Sequence, residues 1–189
     1  EIKMDADAPI ISGIEDGGVY YGDKTFTVSD INLDKVEVDG VEGYTIVADN
    51  AEHRVVATDK IGNVTEYTVT VYKNYQVVFT ADGNTVSTIT VGHNLKVGEL
   101  PAIPHKVGYD QVAPYWTIDG EEITADTTID KATEIIAVYT PNVYTLSFNT
   151  NGGEPIAPIT VTYGAKYGNL PSSAITGLSG GNTNWYLVD

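Results

Sequence analysis

The sequence predicts a mainly β chain, an antiparallel sandwich followed by compact β-rich repeats. Two observations carry this reading. Short runs of Thr, Val, Ile and Tyr recur between turn signals, and 13 residues are Tyr, a residue type that suits a pleated, half-buried surface. One stretch also occurs twice. Thr90-Val91, Lys96, Gly98 and Leu100-Pro101 return without a gap as Thr160-Val161, Lys166, Gly168 and Leu170-Pro171, an offset of 70 residues. The flanks follow: Tyr75, Val77 and Phe79 match Tyr144, Leu146 and Phe148, and Gly108-Tyr109 and Trp116 match Gly177-Leu178 and Trp185. Self-similarity at a fixed period is the signature of a tandem array. The second copy reaches Asp189 without a counterpart of Glu134–Tyr139, so the sequence predicts a truncated repeat within a piece of something longer.

Pro9 opens the first strand pattern. Strands are expected at Ile10–Ile11, Val19–Tyr21, Thr25–Val28, Leu33–Val38, Tyr44–Val47, His53–Thr58 and Thr65–Val71, with Asp39-Gly40 and Gly62-Asn63 as turns. About seven short strands in roughly 70 residues, with no helix-period segment, read as a sandwich. On the last strand Tyr67, Val69 and Val71 share one face while Thr68 and Thr70 take the other, the alternation of a half-buried strand.

Lys73-Asn74 is the whole link to the next unit, which predicts a restricted orientation between neighbours. Tyr75–Thr80 and Val86–Val91 form a hairpin across Asp82-Gly83. His93–Leu100 is expected to be a short helix or helical turn ended by Pro101 and Pro104. Tyr115–Ile118 and Glu134–Tyr139 complete the unit, with Asp119-Gly120 as a turn between them. The order β-β-α-β-β predicts a β-grasp-like fold. The expected domains are 1–73, 74–141 and a partial 142–189.

Asp7-Ala8-Pro9-Ile10-Ile11-Ser12-Gly13, Thr25–Val36 and Asp59-Lys60 with Gly62-Asn63 fall in the order of a bacterial immunoglobulin-like domain, and residues 5–73 resemble that family. The following unit resembles the Listeria–Bacteroides repeat, also called the internalin-type B repeat. The resemblance rests on Tyr75-x-Val77-x-Phe79, Asp82-Gly83, Gly108-Tyr109, Trp116, Thr127–Ile129 and Ile136–Tyr139. In the second copy Phe148, Asn151-Gly152-Gly153 and Val161-x-Tyr163-Gly164 match, whereas Leu178 departs from the usual aromatic. These resemblances imply tandem, non-catalytic modules on surface or secreted proteins of Gram-positive bacteria, linked to adhesion.

Composition narrows the function classes. Cysteine is absent, which excludes disulfides, thiolate metal sites and Cys nucleophiles. The net charge is −16, divided as −9 over residues 1–73, −6 over 74–141 and −1 over 142–189. An acidic surface repels phosphate backbones and anionic lipid, so neither nucleic acid nor membrane is an expected partner. The chain holds no run of about 18 apolar residues, so no membrane span is expected. It has no signal-peptide pattern either, so an export signal would precede Glu1.

Candidate chemistry is thin. Gly177-Leu178-Ser179-Gly180-Gly181 matches a nucleophile-elbow pattern, but no His follows it to serve as base. His53, His93 and His105 lack metal-ligand spacing and read as strand-edge or loop residues. Asp5, Asp7, Asp16, Asp30, Asp34, Asp39 and Asp59 could contribute to a Ca²⁺ site, yet no EF-type loop is present, and solvated turn acids are the plainer reading. Lys24, Lys35 and Lys60 lie near Asn residues in sequence, as in Lys–Asn isopeptide crosslinks. Trp116 and Trp185 hold the same repeat position and read as core plugs; if exposed, Tyr109, Tyr115 and Trp116 could form a platform for a sugar face.

No catalytic, cofactor or metal residue is therefore assigned. The expected function is a non-catalytic surface spacer or adhesive stalk. The alternatives are a module that binds host or cell-wall glycans or glycoproteins, and an accessory region of a large secreted glycan-degrading enzyme. The truncated repeat is expected to expose a sheet edge, and residues 142–189 are expected either to be ordered by contact with a second chain or to fray in solution.

Overall fold

The computed structural model describes residues 7–150 and 152–166. It is all β, with no helix among the described residues. The strands are β1 (Ile10–Ser12), β2 (Val19–Tyr21), β3 (Lys24–Thr25), β4 (Thr27–Ser29), β5 (Leu33–Val38), β6 (Val41–Glu42), β7 (Thr45–Ile46), β8 (Ala51–Asp59) and β9 (Val64–Tyr72). They continue as β10 (Asn74–Ala81), β11 (Asn84–Gly92), β12 (Leu95–Lys96), β13 (Tyr115–Ile118), β14 (Glu121–Glu122), β15 (Thr128–Ile129), β16 (Thr133–Val138), β17 (Val143–Leu146) and β18 (Ile159–Thr162).

Two compact units result: one within Glu1–Phe79, Ser87–Leu100 and Thr124–Ile135, the other within Thr80–Val86, Pro101–Ile123 and Ile136–Asp189. In the first, β2-β9-β8-β5-β6 form a sheet, with the two-stranded pairs β1-β4 and β3-β7 beside it. Ile11, Phe26, Val36, Ile46, Val55 and Val71 meet in its core. The expected alternation on β9 is present, since Val69 and Val71 are buried.

Three details differ from expectation, two in the sandwich and one in the repeat that follows it. β2 lies parallel to β9 (Val19↔Thr70, Tyr20↔Val71) rather than antiparallel, and so covers that sheet edge. The Asp16 carboxylate fixes the entry by accepting the Thr68 N–H at 2.7 Å. The single strand expected at Thr25–Val28 is split, because Phe26 turns into the core and sends β3 and β4 to different partners.

The third correction concerns His93–Leu100, which is not helical. Asn94 has φ 59° and Gly98 φ 78°, in the left-handed region that breaks a right-handed helix. The N–H groups of His93, Asn94, Val97 and Gly98 donate instead to Lys73, Ile129, Thr127 and Ala125 carbonyls. Between them β12 pairs with β15. Long-range pairing therefore satisfies the donors that a helix would have used internally.

Asp39-Gly40, Asp82-Gly83 and Asp119-Gly120 all have positive φ at both residues. That is the type I′ hairpin conformation, and its twist matches that of the flanking strands. β10 and β11 are the hairpin across Asp82-Gly83. The larger sheet they belong to runs β11-β10-β16-β13-β14.

In the second unit β17 and β18 pair antiparallel from Val143↔Thr162 to Leu146↔Ile159. Leu146 and Val161 are buried.

Candidate ligand platform

The three aromatic residues singled out in sequence take three environments. β13 sits between β14 and β16, with Trp116 opposite Ala137 and Tyr115 opposite Val138. Strand alternation sends the two neighbouring rings to opposite faces. Trp116 is 3% exposed, and its indole N–H donates to the Pro101 carbonyl at 2.8 Å. Tyr115 is 37% exposed.

Tyr109 follows a turn at Val107-Gly108 and is half-buried. It makes edge contacts with Tyr139 (6.2 Å) and Tyr163 (5.6 Å), and Lys106 Nζ lies 4.7 Å from its ring centre. The same ammonium pairs with Asp82 Oδ1 at 2.6 Å, and this hydrogen bond raises the Lys106 pKa against the opposing cost of desolvation. Trp116 is thus enclosed, while Tyr109 and Tyr115 keep part of their surface in solvent.

Beside Tyr109 lies a buried polar hub that sequence reading missed. Asn142 is 4% exposed. Its side-chain oxygen accepts the N–H groups of Asp110 (2.8 Å) and Gln111 (2.9 Å), and its amide donates to Asp110 Oδ1 and the Tyr144 hydroxyl. Its backbone donates to the Gly108 carbonyl at 2.7 Å and accepts from the Tyr163 N–H at 2.8 Å. The hydrogen bond from Asn142 is the main cause of the lowered Asp110 pKa. The Tyr163 ring covers Gly108 so closely that a Cβ there would collide with it.

Several of the candidate metal and acid–base residues make structural contacts. His53 is not an edge or loop residue but a buried position on β8, so that expectation is corrected. Its Nδ1 lies 2.8 Å from Asp39 Oδ2 and its Nε2 3.0 Å from Asp49 Oδ1, tying two turns together. At Asp39 desolvation opposes ionisation, but hydrogen bonds from Arg54 N–H and His53 outweigh it and lower the pKa. Asp59 is buried and closes its own loop, accepting from the Ile61 and Asn63 N–H groups and the Asn63 amide. These bonds likewise overcome desolvation and lower its pKa.

Asp30 accepts the Asn32 N–H at 2.6 Å. His105 lies 4.0 Å from Asp110. His93 packs against the rings of Tyr72 and Tyr75. Among the described residues no three acidic or His side chains are grouped as a metal site. Lys35 pairs with Glu37, and Lys24 lies over the Tyr20 ring. Asp5, Ser179 with its glycine-rich segment, and Trp185 lie outside the described residues.

The Listeria-Bacteroides repeat domain matches residues 75–139 and 144–179, which together make up more than half of the chain. The chain belongs to this family. Comparison with curated proteins gave no match. In this repeat family member, the family-matched Trp116 is a core residue of the first copy, and Tyr144 and Tyr163 of the second copy meet the Asn142 hub and Gly108. The contacts of His93 and Tyr163 could have been sought from sequence, because both stand two residues after the repeated Thr-Val pair.

Proposed function

We propose that the chain is a non-catalytic spacer module of a surface or secreted bacterial protein. In this reading residues 1–73 are an immunoglobulin-like domain, and residues 74–141 and 142–189 are successive repeats. One observation supports it above the others: the ring at the fixed repeat position, Trp116, fills the core, whereas Tyr163 covers Gly108 and meets Tyr109 with 42% of its surface still exposed. A ligand platform needs such rings in solvent, whereas a spacer needs them packed. The acidic surface fits the same role, because like charge keeps densely displayed chains apart.

Tyr115 favours adhesion to glycans or glycoproteins as the second reading, being the ring of the three with most exposure. Incubation of the labelled chain with an immobilised panel of host and cell-wall glycans and glycoproteins separates the two. Retention no higher than buffer is the expected result. Retention that disappears in Tyr115→Ala, with melting unchanged, would replace the spacer by a glycan-binding module.

A further inference from the structure

We infer that each copy of the repeat carries its own docking joint. The residue after its second strand, His93 in the first copy and Tyr163 in the second, closes a ring onto the chain segment around the copy's entry and fixes the copy in one orientation. The surface it fits is the neighbouring stretch of the preceding module in the same array, and each joint lies wholly within one of the two compact units. This deepens the spacer reading and rests on it for its use, since a spacer that holds direction must restrict each link.

Two sets of contacts, far apart in sequence, follow one plan. At the first joint the His93 N–H donates to the carbonyl of the linker residue Lys73 at 2.9 Å; at the second, the Tyr163 N–H donates to the carbonyl of Asn142 at 2.8 Å. In each copy an Asn amide holds the hydroxyl of the first strand's Tyr: Asn50 to Tyr75 at 2.8 Å and Asn142 to Tyr144 at 3.1 Å. The donor Asn comes from different places, a turn before β8 in one case and the linker itself in the other. The same bond is therefore reached by two routes.

Each joint also lays a Tyr ring over a glycine. Tyr21 covers Gly92 at the first and Tyr163 covers Gly108 at the second, and at both a Cβ would collide with the ring. Ring-on-ring contacts surround them, Tyr72 with His93 at 5.5 Å and Tyr109 with Tyr163 at 5.6 Å. One residue, Lys73, separates β9 from β10. A linker that short, held by a backbone hydrogen bond and a packed ring, has little conformational freedom left.

The absence of Cys permits clean spin labelling. Label pairs at Ile31→Cys with Glu99→Cys and at Glu121→Cys with Glu154→Cys use exposed positions and span the first and second joints. Electron–electron distance measurement should give a single narrow peak for each pair. Gly92→Ala, at a backbone angle open to any residue, should remove the narrow peak at the first joint only. Tyr163→Ala should remove it at the second only, and Tyr163→Phe should keep it. Broad distributions in the unsubstituted chain, or narrow peaks that survive both alanine variants in folded protein, would overturn the inference. If an alanine variant fails to fold, the unsubstituted chain and Tyr163→Phe still decide. Glycan retention would sink the spacer reading and leave the peaks in place; broad peaks would sink the joint and leave retention absent.

Discussion

Trp116→Ala is expected to destabilise the first repeat by about 3–5 kcal/mol, the range for deleting a large buried aromatic. The ring is almost fully enclosed on β13, opposite Ala137 and near the turn into β14. Truncation removes its packing and opens a cavity, and it also strips the Pro101 carbonyl of the indole donor. Trp116→Phe keeps much of the apolar volume and loses the hydrogen bond, so its cost should be smaller. Denaturant unfolding followed by circular dichroism measures both. A Trp116→Ala chain that unfolds at the unsubstituted midpoint would show that the ring contributes nothing to the core.

Asn142→Ala should be the most damaging polar substitution in the second unit. It leaves the N–H groups of Asp110 and Gln111 without their acceptor, at about 1–3 kcal/mol for each donor that water cannot reach. It also frees the Tyr144 hydroxyl and the Asp110 carboxylate from the amide. Asn142→Asp keeps an acceptor oxygen but sets a second carboxylate against Asp110, so it should destabilise at neutral pH and recover when acid neutralises the pair. Thermal melts of the two variants at neutral and acidic pH test this. Equal melting of Asn142→Ala and the unsubstituted chain would mean that the hub is spectator geometry.

Much of the fold was legible because its signals are local. Three Asp-Gly pairs marked type I′ turns, the Leu33–Val38 and Tyr115–Ile118 runs are strands at the expected bounds, and Val69 and Val71 pointed inward as their alternation implied. The Trp at a fixed repeat position was legible as core for the same reason. The errors came where distant partners decide. His93–Leu100 has few strong local strand signals, and only its bonding to Lys73 and to Ala125–Ile129 makes it turn and bridge. His53 looked peripheral because Asp39 and Asp49, which pay for its burial, are brought to it by the β5–β8 pairing and the turn before β8. Asn50, Asn142 and Gly92 are ordinary residues in a sequence, and Gly108 stood out only as a repeated motif. Their roles appear only once the Tyr rings and hydroxyls they meet are placed.

Amide hydrogen exchange on the dilute, verified monomer tests most directly whether one plan closes both joints. The N–H groups of His93 and Tyr163 stand outside regular strand pairing, so the two backbone bonds to Lys73 and Asn142 are what can protect them. The account predicts that both exchange as slowly as amides inside β8 and β10. Exchange of either at the rate of an exposed loop amide, with the strands still protected, would contradict it.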